Sequence, residues 1–171
     1  TERQLYRTDI MLQFNQSIKE SYSTMKLLSV AGDQIHQLLK QDVTVFQIEA
    51  KKVMQSASFG VSSSAHNHGT EDAETLSWVI ENERRAGRLT DTFPGSKFLC
   101  IPIGTRPVKG IISIQFTDED YIDTYDNSIL DSMLNDLTLA VENVALLKQT
   151  RQSMVIAERE ATRSNFLQSI S

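Results

Sequence analysis

Apolar side chains recur at every third or fourth position between residues 126 and 147, which is the spacing of one stripe along an α-helix. The stripe consists of Ile129, Leu130, Met133, Leu134, Leu137, Ala140, Val141, Val144 and Leu147. Neither Gly nor Pro occurs from Asp118 to the end of the chain, so no residue in this stretch favours a helix stop. After Leu147 most residues are charged or polar. The pattern predicts one helix over residues 125–171, with an apolar first half and a charged second half.

Two further helices are predicted before residue 41. Residues 2–20 carry two overlapping apolar rows, which favour either packing on the domain or pairing with a second copy of the chain. Residues 25–40 carry a single apolar face, and Ser23 or Thr24 is suited to cap this helix. Gly32 lowers helix propensity, so it indicates a close approach to another element.

Four stretches have the composition of β-strands. Residues 43–48 are rich in β-branched and aromatic residues, residues 51–57 follow a tight turn, and residues 98–103 and 110–116 are joined by a short connection. Pro102 donates no backbone hydrogen bond, so its strand is expected at a sheet edge or at a bulge.

A helix is predicted over residues 73–86, ended by Gly87, after a mobile loop or lid at residues 58–72. Short connections between paired strands imply an antiparallel sheet. The expected fold class is therefore α+β, an antiparallel sheet flanked by helices.

Composition limits the function classes. The chain has 171 residues, enough for one domain with a hydrophobic core, and a net charge of −5, which argues against a nucleic-acid-binding surface. Its single cysteine, Cys100, lies in an apolar strand, cannot form an internal disulfide and is expected to pack as a small hydrophobe. No apolar run approaches the roughly 20 residues that span a bilayer. We expect a cytoplasmic piece that does not insert into a membrane.

A loop of polar residues offers the clearest candidate ligand site. Asp91 supplies a carboxylate and its two neighbours supply hydroxyls, while Arg84 and Arg85 are close enough in sequence to attract an anion. The alternative is an Asp91 that holds its own turn, with solvated arginines placed favourably near a helix C-terminus. The candidate ligand-binding residues are Trp78, Arg88, Thr90, Asp91 and Thr92.

Metal binding and catalysis are not indicated. His66 and His68 lie on a Ser-rich loop without an evident third ligand, and the acidic run after residue 117 lacks the spacing of a calcium loop. No Ser-His-Asp set or glycine-rich phosphate loop is present. We therefore expect no metal, no cofactor and no catalysis by this chain.

Three stretches resemble GAF domains. Gly-Ile-Ile-Ser-Ile at residues 110–114 resembles a characteristic GAF strand, and residues 139–147 resemble the closing GAF helix, which often reads A-h-E-N-A-x-L. Residues 86–95 resemble the A-G-x-x-T-D-T-x-P signature in the GAF domain of KdpD-type sensor histidine kinases. That family is linked to potassium supply and osmotic stress. The resemblance implies a GAF-like sheet with a long C-terminal signalling helix.

The last residues resemble the start of a kinase dimerisation helix. Glu158-Arg159-Glu160 and the closing run at residues 163–171 are similar to the segment that precedes the phosphoacceptor His box of sensor histidine kinases. The resemblance implies a connecting helix at residues 1–24, a sensory domain at 25–147 and a linker helix at 148–171.

The same resemblance implies the partners. It implies a homodimer through the terminal helices and a response regulator recognised by kinase domains outside these residues, in a parent at the inner membrane. Two alternatives stay open: a domain that binds a small, nucleotide-like ligand in another regulatory protein, or a ligand-free dimerisation spacer.

Overall fold

A five-stranded antiparallel sheet with the order β2-β1-β5-β4-β3 forms the centre of the protein. The computed structural model describes residues 23–60, 70–117 and 121–170, and only the backbone of residues 70–72 and 164–170. The strands are β1 (Val43–Glu49), β2 (Lys52–Phe59), β3 (Ala86–Gly87), β4 (Phe98–Ile103) and β5 (Gly110–Gln115). The helices are α1 (Thr24–Leu39), α2 (Thr70–Asn82) and α3 (Thr124–Ile170). The fold is the predicted α+β class.

Both faces of the sheet are covered, each by a separate hydrophobic cluster. On one face, Val45 and Ile112 pack against α1 and against the first half of α3. On the other, Phe46 and Ile111 pack with Val79 of α2. Because successive side chains of a strand point to opposite faces, β1 is buried at every position from 43 to 46. This double coverage explains why its sequence is a continuous apolar run rather than an alternating one.

Helix α1 begins and approaches the sheet as its sequence predicts. The side chain of Ser23 accepts a hydrogen bond from the Lys26 backbone N–H at 3.2 Å, and the helix ends before Lys40, which has left-handed backbone angles. A Cβ on Gly32 would lie 2.7 Å from Val45 Cγ1, too close for an unshifted side chain. The absence of a side chain at Gly32 therefore lets α1 sit close to β1.

The end of α2 differs from the prediction. The helix stops at Asn82 rather than at residue 86, because Glu83 has a left-handed φ of 57°. Gly87, predicted as the helix stop, lies instead in β3 beside β4. Its φ is 98°, and a Cβ there would clash with the carbonyl oxygen of Phe98, so only glycine fits this close strand contact.

The predicted loop at residues 58–72 is also too long. Ser58 and Phe59 belong to β2, which pairs with β1 as far as Val43, and α2 already begins at Thr70. Residues 61–69, with His66 and His68, lie outside the described residues, as do the predicted helix at 2–20 and the acidic residues 118–120.

Pro102 lies in the part of β4 that is paired with a neighbouring strand on one side only. Strand β3 pairs only with Leu99 and Cys100, whereas β5 pairs along all of β4, including Pro102 with Ile111. Beyond Cys100, β4 is therefore an edge strand, as the proline predicted.

Helix α3 is one continuous element of 47 residues, about 70 Å long at about 1.5 Å per residue. Leu130, Met133, Leu134, Leu137 and Val141 are buried in the first cluster, with Ile129, Ala140 and Val144 packed at its margin. Leu147, predicted as part of the stripe, is 48% exposed. The helix thus leaves the domain one turn earlier than the apolar pattern indicates. In the described part of the chain, no helix has both the length and the hydropathy to cross a bilayer.

Candidate functional site

An open groove of about 570 Å³ runs along the outer flank of α2, beside the loop that connects β3 and β4. Its aromatic side chains are Trp78 and Phe93, whose ring centroids lie 6.5 Å apart with the planes at 85°. The remaining lining residues are Ala73, Glu74, Ser77, Glu81 and Asn82. A second hollow of about 380 Å³ continues on the other side of Phe93, towards Gly95 and Ser96.

The space between α2 and the sheet is filled. Val79 and Leu76 point from α2 into the second cluster, where they join Cys100, Phe46 and Ile111. All five side chains are at most 9% exposed. Among the described residues the candidate site is therefore the outer groove and not the interior beneath α2.

Trp78 is the one predicted site residue that lines the groove. It is half-buried, and its backbone carbonyl accepts a hydrogen bond from Asn82 Nδ2 at 2.9 Å. Sequence reasoning missed Phe93, Glu74 and Glu81. Phe93 lies inside the Thr-Asp-Thr-Phe-Pro motif, but no local pattern indicates that it faces Trp78 across the groove.

Thr90 organises the loop between β3 and β4. Its hydroxyl lies 2.7 Å from the carbonyl oxygen of Gly87 and 2.8 Å from that of Thr92, and its oxygen accepts from the Thr92 backbone N–H at 3.2 Å. The backbone N–H of Gly87 also donates to Thr92 at 2.7 Å. Asp91 is exposed, and its carboxylate makes no hydrogen bond or ion pair within the described ranges. The turn is thus held by Thr90 rather than by Asp91.

Phe93 has an unusual backbone conformation for an aromatic residue. Its φ is 55°, in the left-handed region that bulky side chains rarely adopt. The Phe93 carbonyl accepts from the Ser96 backbone N–H at 3.1 Å. Such conformations persist where the surrounding contacts hold them in place, and they are enriched at binding sites. Here the result is a phenyl ring, 40% exposed, standing against Trp78.

The structure does not bring the three arginines into the groove. Arg85 Nη2 lies 3.1 Å from Asp131 Oδ1 on α3, on a different side of the domain from Trp78. Arg88 is half-buried and joins β4 through its backbone N–H, which donates to Phe98. Arg84 is exposed, and none of the three lines the groove. The charged residues that do line it, Glu74 and Glu81, are acidic.

A set of hydrogen bonds joins α2 to α3 through the connection between β4 and β5. Glu83, the residue after α2, accepts from the Arg106 backbone N–H at 2.6 Å. The next backbone N–H upstream, that of Thr105, donates to Glu142 of α3 at 3.1 Å, and Lys109 Nζ lies 3.0 Å from the same carboxylate. We call these contacts the 83–106–142 clamp. It fixes α3 close to the point where the helix leaves the domain.

The pKa of Glu142 reflects its place in the clamp. Burial acts to raise it, but the hydrogen bonds from Lys109 and from the Thr105 backbone, together with the Lys109 charge, outweigh burial and lower the pKa below its ordinary value of 4.5. The folded protein therefore favours the carboxylate form of Glu142.

Cys100 belongs to the second hydrophobic cluster. Cys100 is buried, and its Sγ lies 3.8 Å from the hydroxyl oxygen of Ser113, so it packs as predicted. Within the described ranges, no three His, Cys, Asp or Glu side chains are grouped as metal ligands would be.

Comparison with solved structures identifies the fold. The GAF domain of the potassium sensor histidine kinase KdpD from Escherichia coli superposes with a TM-score of 0.65 at 15% identity, over 82% of this chain and 96% of that one. The GAF domain of a putative sensor histidine kinase from Pseudomonas syringae pv. tomato gives 0.59 at 14% identity, over 89% and 96%.

A third neighbour comes from a different kind of protein. The GAF domain of an Acinetobacter phosphoenolpyruvate-protein phosphotransferase gives a TM-score of 0.57 at 16% identity, over 84% of this chain and 98% of that one. No protein-family model matches the sequence. At these identities the similarities establish the fold, which is GAF-like.

The loop geometry predicts different consequences for two neighbouring substitutions. Thr90→Val removes the hydroxyl that joins three backbone groups, so it should lower the free energy of unfolding by about 1–2 kcal/mol. Asp91→Ala, at an exposed side chain without a partner in the described ranges, should change it by less than about 0.5 kcal/mol. Urea denaturation of both variants measures the difference. A larger loss for Asp91→Ala than for Thr90→Val would refute the assignment of the turn to Thr90.

The clamp predicts an acid-dependent contribution to stability. Since the folded-state pKa of Glu142 is lowered, its contribution is fully present above about pH 4.5, the unfolded value, and is lost as the pH falls through the lower folded value. The stability difference between the wild type and Glu142→Gln should therefore shrink on acidification below that pH. Denaturant unfolding at a series of pH values tests this, with Glu158→Gln as an exposed control on the same helix. A difference that stays constant to pH 3 or below would count against the clamp.

Proposed function

We propose that this chain is the sensory and signal-transmitting GAF domain of a two-component sensor histidine kinase of the KdpD type. The observation that carries the proposal is α3, a single helix of 47 residues whose first half is part of the hydrophobic core. Its second half is exposed from residue 146 to residue 163. One continuous helix therefore connects the hydrophobic core of the domain to the region outside it.

The geometry of α3 suits the transmission of small movements. Residues 148–170 extend the helix by about 35 Å. A change in how Leu130 or Leu137 packs would tilt or rotate the whole element, because an intact helix does not bend freely between its ends. A bias of about 1–3 kcal/mol between two helix positions is enough to change output roughly 5- to 150-fold.

The 83–106–142 clamp supports a route from α2 to this helix. Glu83 lies at the end of α2, whose flank forms the groove, and Glu142 lies where α3 leaves the core. A shift of α2 would alter the connection around Arg106 and thus the hold on Glu142. We propose that this connection couples the groove to the output helix.

The exposed part of α3 supports a homodimer through the terminal helices. Leu146, Leu147, Met154, Val155 and Ile156 are 47–61% exposed, a costly arrangement for a helix surrounded only by water. Packing against the same helix of a second copy would cover part of this surface. Charged residues such as Arg151 and Glu158 interrupt the apolar positions, so the dimer of this chain alone is expected to be weak.

The assignment to the KdpD type rests on similarity. The Thr-Asp-Thr-Phe-Pro motif at residues 90–94 resembles that family, and the solved KdpD domain shares the fold. Residues 158–171 resemble the start of a phosphoacceptor helix, which supports a kinase parent at the inner membrane and a response regulator as the partner of its kinase domains. A response to potassium or osmotic stress is the physiological role that this similarity favours.

One observation favours the alternative of a ligand-free spacer. Among the described residues, Phe46, Leu76, Val79, Cys100 and Ile111 pack together in the interior between α2 and the sheet, which argues against a ligand such as a nucleotide bound between them. A spacer would hold the two copies at a fixed distance without changing α3. Signal transmission, unlike such a spacer, requires that kinase output depend on the rotational position of α3.

A fusion to a histidine kinase core tests transmission through α3. The chain is joined in helical phase to the dimerisation and catalytic domains of a kinase, and alanines are inserted between Gln149 and Thr150. Two residues rotate the distal helix by about 200°, whereas seven return it to within about 20° of its original face. We expect the two-residue insertion to shift autophosphorylation at least fivefold and the seven-residue insertion to preserve it. Sedimentation of each fusion controls for loss of the dimer.

Equal autophosphorylation by all three fusions, each dimeric, would show that the segment acts as a spacer, and the transmission proposal would fail. Strictly monomeric behaviour of the unmodified fusion would refute the homodimer.

A further inference from the structure

We infer that the groove between α2 and the β3–β4 loop is a binding site for a small organic cation, specifically an alkylated ammonium group. Its lining combines two perpendicular aromatic rings with two carboxylates. This inference goes beyond the proposed function, which assigns no ligand to the groove. Binding can be measured on the chain alone, without a kinase, so the two proposals can fail independently.

The acidic lining of the groove favours a cationic ligand over an anionic one. Glu74 and Glu81 lie seven residues apart on α2, which places them about 10 Å apart along the same side of the helix, with Trp78 between them. No Lys or Arg occurs among the described lining residues. An anion would face both carboxylates, while the arginines that sequence analysis assigned to it lie elsewhere, as the 3.1 Å pair of Arg85 with Asp131 shows.

The carboxylate at one end of the groove, Glu81, is already paired with a lysine that does not line the groove. Lys51 Nζ lies 3.2 Å from Glu81 Oε2, and both side chains are about 60% exposed. Glu74, at the other end, makes no hydrogen bond or ion pair with any described residue. Glu74 is therefore the carboxylate near Trp78 and Phe93 that is not paired with a cation from the described residues.

The two rings give the site its preference for an organic ammonium. The negative faces of aromatic rings attract cations, and tryptophan does so most strongly. Rings at 85° form two walls of a corner, so a rounded, weakly hydrated cation could touch both at once. Phe93 is held in this position by a loop in which its own φ is 55°. The loop thus keeps part of an aromatic cage in place before any ligand binds.

The size and polarity of the groove exclude other cations. A calcium or magnesium ion requires about six or more oxygen ligands, and the groove is walled mainly by carbon atoms. A primary ammonium is strongly hydrated and would compete less well for aromatic faces. With a volume of about 570 Å³, the groove is large enough for a trimethylammonium group with a short chain attached.

The single tryptophan of the chain provides a direct measurement. Trp78 is that residue, and because it lines the groove its fluorescence should respond to a ligand bound there. The 171-residue chain is titrated with choline and with 3,3-dimethyl-1-butanol, which has the same shape but no charge; tetramethylammonium chloride and sodium chloride at equal ionic strength complete the series. We expect a saturable change with choline and tetramethylammonium, and binding at least threefold weaker for the neutral alcohol.

Matched variants locate the interaction. Glu74→Gln keeps the shape of the side chain but removes its charge, and Phe93→Leu removes one aromatic wall. Each should weaken choline binding about two- to fivefold, the range expected for exposed ion pairs and cation–π contacts. Glu158→Gln, far along α3, removes an equal charge and should leave binding unchanged. Thermal melts confirm that each variant is folded.

Three results would overturn the inference. One is a fluorescence change with choline that does not exceed that with sodium chloride. Another is equal affinity for choline and its neutral analogue, which would make the groove merely apolar. The third is an equal effect of Glu74→Gln and Glu158→Gln, which would indicate that net charge alone attracts the cation.

Discussion

The packing of the first half of α3 against the sheet is the interaction on which the rest of the structure depends. Leu130, Met133, Leu137 and Val141 are completely buried together with side chains from α1 and from three strands. Each such side chain contributes about 1.5–3 kcal/mol through its burial. The helix that extends out of the domain is therefore also one of the main elements that hold it together, and its position cannot change without repacking the core.

The two faces of the sheet therefore pack against different helices. One face fixes α1 and α3, with Gly32 and Gly110 allowing α1 to approach within van der Waals distance of the strands. The other face is closed by α2, which fills the interior with Leu76 and Val79 and leaves its outer flank for the groove. The 83–106–142 clamp joins the two sides around the end of the sheet. In the proposed account, a cation in the groove would act on α3 through this connection and not through the filled interior.

The sequence predicted those features that local patterns determine. The stripe on α3, the cap at Ser23, the four longer strands and the close approach at Gly32 all follow from spacing or from single residue types. The two-residue strand β3 was missed because it is too short to show a period, and Gly87 was assigned to a helix end since glycine suits both places. The left-handed Glu83 that ends α2 is stabilised by a contact with the distant Arg106 backbone, which no local pattern contains.

The candidate site was predictable only in part for the same reason. Trp78 is the predicted residue that lines the groove, but the partner ring comes from residue 93, and the loop that positions this ring is held by hydrogen bonds between Thr90, Gly87 and Thr92. The sequence suggests Asp91 as the residue whose side chain holds the turn. In the structure the hydrogen bonds of the Thr90 hydroxyl hold it instead. Arg84, Arg85 and Arg88 lie close together in sequence, but none of them lines the groove, whose charged lining residues Glu74 and Glu81 are acidic.

The central claim is that the first half of α3 is stabilised by the hydrophobic core, whereas the stability of its second half depends on a partner. Amide hydrogen exchange along α3 tests this claim most directly. Polar helical segments without tertiary contacts are marginally stable in water. In a dilute, monomeric sample, the amides of residues 130–144 should exchange at the rate of global unfolding, whereas those of residues 150–163 should exchange many times faster. At high concentration, where the proposed dimer should form, protection of the second group should rise. Equally strong protection of both groups in the monomer would contradict the account.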